Sequence, residues 1–393
     1  MARRKPAAPE IEDFAPEVPE RRAGAKVFAE IASRTKGFRQ AREVLHKVRA
    51  VPTIFPDVDF KIRVGGWPID RVGMVHGPSG EGKTTFAHGL GLSFLRRGHM
   101  YALIDAECTT PHPWLQALLG QYANDPRFIA SRPDCYEQGV DDVSKIAYGV
   151  AEARDKKKIP EDTTCLFVVD SIGKLVPKDI QEKIRKFAAE SKDGSIDGYR
   201  GAAGMIRAAM NKAWLDQLIP LMNKTGCAML FVARETVDRD ASAMARKFGS
   251  DWKTTGGSHL YFDASLDVRV DRAVMIHEQP DDYKSPVVGE RHQVSIHKTK
   301  VSARQDVVEK TFFNTSNGLW RPVGFDFARD LLELGRDLDV VQGTGWLSWN
   351  GHRWQGVKRF LTTVTAEQLV ALERDVRAAF GEDVAKRADV VGG

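Results

Sequence analysis

Residues 77–85 read GPSGEGKTT and directly follow the apolar run VGMVH. Gly77, Gly82, Lys83 and Thr84 satisfy the spacing G-x-x-x-x-G-K-[ST], whose chemistry is phosphate binding. Small bends at Gly77, Gly80 and Gly82 let the backbone of Gly77, Pro78, Ser79, Gly80, Glu81 and Gly82 wrap an anion with its N–H groups inward. A helix opening near Lys83 adds its positive dipole end. Lys83 is placed to reach the β- and γ-phosphates of a nucleoside triphosphate, and the Thr84 hydroxyl to hold Mg²⁺. Such a site needs a further carboxylate at the end of a neighbouring strand. CLFVVD supplies Asp170 followed by Ser171, although an acid ending an apolar run serves equally as a strand-end cap. MYALIDAE ends in Asp105 and Glu107. Glu107 is the candidate base for an attacking water and Asp105 the candidate for holding the turn, a choice that the residues alone leave open.

These groups must be carried by strands. The short apolar runs are VGMVH (72–76), MYALID (100–105), CLFVVD (165–170), AMLFVA (228–233), LDVRV (266–270) and QVSIH (293–297), and several of them are apolar nearly throughout, as strands covered on both faces must be. Helical stretches separate the first four, which predicts a mostly parallel sheet with right-handed crossovers; the last two suit an antiparallel extension. Residues 1–25 are rich in Pro, Ala, Glu and Arg and read as a disordered arm. Residues 26–51 read as an N-terminal helical segment, able to cap its own domain or dock on a neighbouring subunit. Residues 52–322 form the core. From 323 to 393 the pattern changes to helix, the Trp-rich WLSWNGHRW, and a final helix, predicting a small separate domain.

With 393 residues, 42% hydrophobic and 28% charged, the composition is that of a soluble globular chain. No run approaches the ~20 apolar residues of a membrane helix, and the start lacks the apolar segment of a secretory signal. The four cysteines have no C-x-x-C spacing and read as reduced core thiols of a cytoplasmic protein. A net charge of +5 permits a polyanionic partner without requiring one.

GPSGEGKTT, IDAE, VVDS and KTTGGSHLYFDAS, in that order and spacing, resemble the RecA recombinases of bacteria and their phage relatives such as UvsX. T-T-G-G at 254–257 is the most specific of these signals. The resemblance runs from residue 52 to about 380, and GFDFARDLLELGRDLDVVQGTGWLSWNGHRWQG looks like the family's C-terminal domain. It implies a RecA-type P-loop ATPase core with a mostly parallel central sheet, an N-terminal helix and a small α+β C-terminal domain. The implied activity is DNA-dependent ATP hydrolysis by a helical filament on single-stranded DNA, which pairs that strand with a homologous duplex and exchanges strands. Recombination mediator and single-strand-binding proteins are further implied partners. Position by position, Lys83, Thr84 and Thr85 match the phosphate and magnesium positions, Asp170 the second magnesium contact and Glu107 the catalytic glutamate. Trp114 aligns with an aromatic that stacks on adenine; a core tryptophan is the alternative.

HKTKV at 297–301 puts Lys298 and Lys300 on one face of a strand. Two such charges suit an anion, or a solvated edge that resists aggregation. The resemblance places them across a subunit interface on the neighbour's ATP. Segments 182–204 and 234–257 resist regular assignment and match the family's two DNA loops. There Arg185, Lys186, Lys192, Arg200, Arg239, Arg246, Lys247 and Lys253 are candidates for phosphate contacts, and Tyr199, Phe248 and Trp252 for stacking. The chain departs from the family at Arg234-Glu235, where a γ-phosphate-sensing glutamine is usual; Arg234 is the candidate replacement. The tail GEDVAKRADVVGG is mixed in charge instead of acidic, and the proline-rich arm suggests a bacteriophage version. Two other readings use the same motifs: a ring helicase with the same core, and a non-hydrolysing, nucleotide-gated mediator.

Overall fold

The computed structural model describes residues 27, 30–31, 33–34, 48–190, 200–237, 252–255, 258–279, 283–302, 307–313 and 324–391. The chain divides into two compact units, Met1–Lys47 and Val48–Gly393. In the first, Val27, Glu30, Ile31 and Ser33 are helical and Arg34 pairs with Glu30 at 2.6 Å. The arm expected at 1–25 lies outside the described residues. The helix expected to run through residue 51 has ended by Val48, because β1 (Ala50–Val51) pairs antiparallel with β2 (Trp67–Pro68). Pro52 disfavours helical geometry at Val51.

The second unit is built on β3 (Val72–Gly77), β4 (Met100–Asp105), β5 (Phe128–Ser131), β6 (Cys165–Asp170), β7 (Ala228–Val237), β8 (Trp252–Thr254), β9 (Leu266–His277), β10 (Val287–Thr299), β11 (Val307–Phe313) and β12 (Gly324–Phe325). Among the described residues they form one ten-stranded sheet in the order β12-β11-β10-β9-β3-β7-β6-β4-β5, with β8 on β7. The run β9-β3-β7-β6-β4-β5 is parallel, and β10 to β12 extend it antiparallel. Parallel neighbours need long crossovers. The helices Lys83–Arg96, Tyr136–Asp155 and Arg200–Thr225 supply three of them. Alternate strand residues go to opposite faces. Val75, Leu103, Val168 and Leu230 join Phe86, Leu90 and Phe94 on one side; Met74, Ile104, Phe167 and Phe231 join Val143, Trp214 and Leu218 on the other. Burial on both faces explains the uninterrupted apolar runs.

A third cluster joins the helices Phe327–Asp337, Gly356–Thr363 and Ala366–Val391 to the hairpin of β13 (Trp346–Trp349) and β14 (His352–Gln355). The Trp-rich segment is this hairpin. Its turn is Asn350-Gly351, with φ of 46° and 79°, the conformation a two-residue hairpin turn demands. Lys310, fully buried, binds Asp57 at 2.5 Å and Asp330 at 2.7 Å, while Arg377 donates to Asp59 Oδ2 at 3.0 Å and to the Thr53 carbonyl at 2.7 Å. These pairs fasten the C-terminal helices to the core. Cys165 and Cys227 are buried as expected, but Cys108 is exposed because it sits in the turn after β4, outside the sheet.

Candidate nucleotide-binding site

The C-terminal ends of β3, β4, β6 and β7 lie side by side, the edge where open α/β sheets bind ligands. Register pairs Asp105 with Asp170 and Gly77 with Arg234. The loop after β3 leads into the helix that begins at Lys83. Gly82 has φ +86°, and a Cβ there would stand 2.8 Å from His292 Cε1, so only glycine fits without displacement. Glu81 is held inside the loop: it accepts from the Arg272 backbone N–H at 2.9 Å and from its guanidinium at 3.2 Å. Lys83 Nζ donates to the Pro78 carbonyl, folding over the loop. Burial lowers the Lys83 pKa, while Asp170 pulls it back up.

Thr84 Oγ1 donates to Asp170 Oδ2 at 2.6 Å. Burial pushes the Asp170 carboxyl up to about 6, against the Thr84 hydrogen bond and with the charges of Glu107 and Asp105 adding to the rise. A hydroxyl and a carboxylate converging at the loop are hard oxygen donors, the set Mg²⁺ takes. Glu107 donates its backbone N–H to the Asp170 carbonyl at 3.1 Å, and its Oε1 accepts from Ser171 Oγ at 2.9 Å. Asp105 instead accepts from the Thr109 N–H at 3.3 Å and from Arg132 Nε at 3.0 Å, the turn-holding arrangement. A cleft of about 310 Å³ is lined by Gly80 to Thr85, Trp114, Glu290 and Phe312. Trp114 is half-buried, with its ring edge-on to Phe312 at 5.6 Å.

Arg234 is exposed, and its neighbourhood is more regular than the sequence suggested. β7 continues through Val237, and β8 pairs with its last residues in the register Glu235↔Thr254, Thr236↔Lys253 and Val237↔Trp252. Arg234 and Thr255 exchange two hydrogen bonds, at 3.0 and 2.8 Å. Glu235, inside the segment that resisted regular assignment, turns inward. Its carboxylate meets His76 Nδ1 at 2.8 Å and Arg269 Nε at 2.7 Å, and these contacts outweigh burial to bring its pKa down to about 2. His76, in β3, has no exposed surface. Its histidine and carboxylate neighbours went unnoticed in the sequence; the signal was a charged or polar residue inside otherwise apolar runs, at His76 and Asp267.

Lys298 and Lys300 are not brought to the phosphate loop of their own chain. Both donate to the Phe262 carbonyl at 2.7 Å, and Lys300 also to Asp263 at 3.4 Å, capping the helix Ser258–Asp263. Arg185 and Lys186 are exposed on the helix Lys178–Glu190, and Lys253 is exposed on β8. Trp252 is half-buried, its ring stacked on His76 at 4.9 Å. Lys192, Tyr199, Arg239, Arg246, Lys247, Phe248 and the side chain of Arg200 lie outside the described residues.

A phosphate loop at the carboxyl edge of a parallel sheet, backed by a hydroxyl–carboxylate pair, defines the class of nucleotide-binding α/β ATPases. Within that class, the family description "RecA N-terminal domain" matches residues 35–316, and the chain belongs to the RecA family. It is 28% identical over 332 residues to Protein RecA of Streptococcus pyogenes serotype M5, covering 82% of this chain and 76% of that protein. The identity is 28% over 346 residues with Protein RecA of Clostridium tetani (86% and 85% covered) and 26% over 315 residues with that of Geobacter sulfurreducens (80% and 79%). The chain is therefore a recombinase of recombination and repair, a DNA-dependent ATPase that binds DNA and forms homo-oligomers. The ring-helicase and non-hydrolysing readings are not favoured. Among the described residues no helix is long and apolar enough to cross a membrane.

Proposed function

We propose that the chain hydrolyses ATP within a helical filament on single-stranded DNA and uses the filament to pair that strand with a homologous duplex. The observation that carries the reading is the Thr84–Asp170 contact at 2.6 Å, next to Lys83 in sequence, with Glu107 anchored by Ser171 at 2.9 Å and bonded through its backbone to Asp170. Lys83 and the backbone of Gly77 to Thr85 grip the triphosphate. Thr84 and Asp170 hold Mg²⁺, which neutralises phosphate charge when bound. Glu107 orients the attacking water and takes its proton. Trp114 offers its face to adenine, and Arg234 stands at the γ-phosphate. Lys298 and Lys300 complete the site of the adjoining protomer. DNA runs along the segments 182–204 and 234–257, with Arg185, Lys186 and Lys253 among its contacts. The N-terminal segment expected at 26–51 docks on a neighbour, and residues 323–393 act as a separate accessory domain. Mediator and single-strand-binding partners, a cytoplasmic setting and a bacteriophage origin complete the reading.

The test is ATP hydrolysis with and without single-stranded DNA. Stimulation by DNA is expected, and Lys83→Ala should lower the rate about 10²–10³-fold. Unstimulated turnover, or an unchanged Lys83→Ala rate, overturns the reading. Electron micrographs with DNA and a slowly hydrolysed ATP analogue should show open helices; closed rings would favour a motor.

A further inference from the structure

We propose that His76, Asp267 and His297 form a binding site for a borderline divalent cation of the Zn²⁺ type, separate from the nucleotide's magnesium position. One donor atom from each residue falls in a group no more than 4.8 Å across. His76 and Asp267 come from the adjacent strands β3 and β9, where Met74 pairs with Asp267 and His76 with Arg269, so their side chains share one face. His297 sits at the register shift of β10 between Ile296 and Lys298, the kind of irregularity that re-aims a side chain.

Three features point to a cation. First, His76 and Asp267 have no exposed surface, yet among the described residues His76 Nε2 and both Asp267 carboxylate oxygens have no hydrogen-bond partner. Unpaired buried groups of this kind are costly. His76 Nε2 lies 3.2 Å from Asp267 Oδ1 without hydrogen-bond alignment. Two ligands of a tetrahedral zinc ion with bonds of ~2.0–2.1 Å stand about 3.3 Å apart, which that pair matches. Second, the opposite nitrogen of His76, Nδ1, is already bound to Glu235 at 2.8 Å, and Glu235 is braced by Arg269 at 2.7 Å. A carboxylate on the far nitrogen is the habitual outer partner of a metal-bound histidine. Third, carboxylates converge on this point: those of Glu235 and Asp271 meet the Arg269 guanidinium, and that of Asp267 lies 3.2 Å from His76 Nε2, with the Lys298 ammonium bound to the carbonyls of Tyr261 and Phe262.

Two imidazoles and one carboxylate suit Zn²⁺, whereas Mg²⁺ prefers the all-oxygen set at Thr84 and Asp170. The half-buried His297 supplies the third donor within 4.8 Å of the others, and Trp252 stacks on His76 at 4.9 Å. The ion would clamp β3 one residue before the phosphate loop to β9 and β10, with β7 attached through Glu235.

The test uses the full chain stripped of metal by a chelator. Zn²⁺ alone is added, excess is removed by gel filtration and retained metal is measured; Co²⁺ is added in parallel and its visible spectrum recorded. The expected result is about one retained equivalent per chain and an intense tetrahedral Co²⁺ spectrum, neither displaced by excess Mg²⁺. His297→Ala should abolish retention, and Glu235→Gln should weaken Zn²⁺ binding about 10–100-fold. The proposal is overturned if the unsubstituted chain retains no metal, if Mg²⁺ displaces it, if Co²⁺ gives only a weak octahedral spectrum, or if His297→Ala and Asp267→Asn keep the full equivalent. The Co²⁺ spectrum needs no variant, so a misfolded substitution leaves the proposal decidable.

Discussion

Replacing Lys300 with Ala and mixing the variant with Lys83→Ala tests whether each ATP is completed by two protomers. The Lys300 backbone N–H donates to the Ser265 carbonyl, and the Ser265 N–H to the Val72 carbonyl, at the start of β3. The phosphate loop begins at Gly77, so the ends of β3 are separated by about 16 Å at about 3.3 Å per residue. Lys300 points away from that edge, onto the Phe262 and Asp263 carbonyls. It cannot serve its own loop without dismantling the strand. Each variant alone should therefore lose about 10²–10³-fold in DNA-stimulated hydrolysis, the usual cost of a charged group that acts on the transition state. An equal mixture should recover about one quarter of the unsubstituted rate, because in a head-to-tail assembly half of the loops are intact and half of those meet an intact Lys300. Removing the cap on the helix Ser258–Asp263 should cost only about 0.3–1 kcal/mol, so the variant remains folded. Steady-state phosphate release at constant total protein and saturating single-stranded DNA reads the outcome. A mixture no faster than its components, with both still bound to DNA, would refute the reasoning. So would a Lys300→Ala variant with the original rate.

Three further outcomes follow from the geometry. Hydrolysis should fall as pH drops through a midpoint at or below about 6, where Asp170 takes up a proton; Thr84→Val removes the hydrogen bond favouring the carboxylate and should move the midpoint of the pH–rate profile upward. Gly82→Ala should cost about 1–3 kcal/mol from the positive φ and the 2.8 Å approach to His292, read as weaker nucleotide binding and a lower Tm. Lys310→Met should destabilise by about 3–5 kcal/mol, since it strands two carboxylates around a fully buried position. Asp330, held up at about 7 mainly by burial, is uncharged at lower pH, so the Lys310→Met loss in denaturant titrations should be smaller at pH 6 than at pH 8.

The nucleotide edge was legible because its chemistry is local. Six glycine, lysine and threonine positions within nine residues, and acids ending apolar runs, need no tertiary knowledge. Of the six strands recognised in the sequence, β3, β4, β6 and the first part of β7 are buried on both faces, where continuous apolar residues give a strong signal, while β9 and β10 mix buried and part-exposed residues. β5, β8, β11 and β12 were missed because they are short or carry charge, as Lys310 does in the middle of β11. Its charge is paired only by residues from helices distant in sequence, Asp57 and Asp330. The cluster around His76 was hidden for the same reason: β3, β7, β9 and β10 each contribute to it, and register alone brings them together. Glu235, inside the segment 234–257 that resisted regular assignment, joins this cluster because β7 continues through it.

That extension alters what a signal from the nucleotide would move. Arg234 stands opposite Gly77, and one residue later β7 begins its antiparallel pairing with β8. The departing strand at Val237 and the returning strand at Trp252 are stitched to each other, so a tug at the arginine is shared by both stems of the intervening stretch. The pivot of any such movement lies where Trp252 rests on His76.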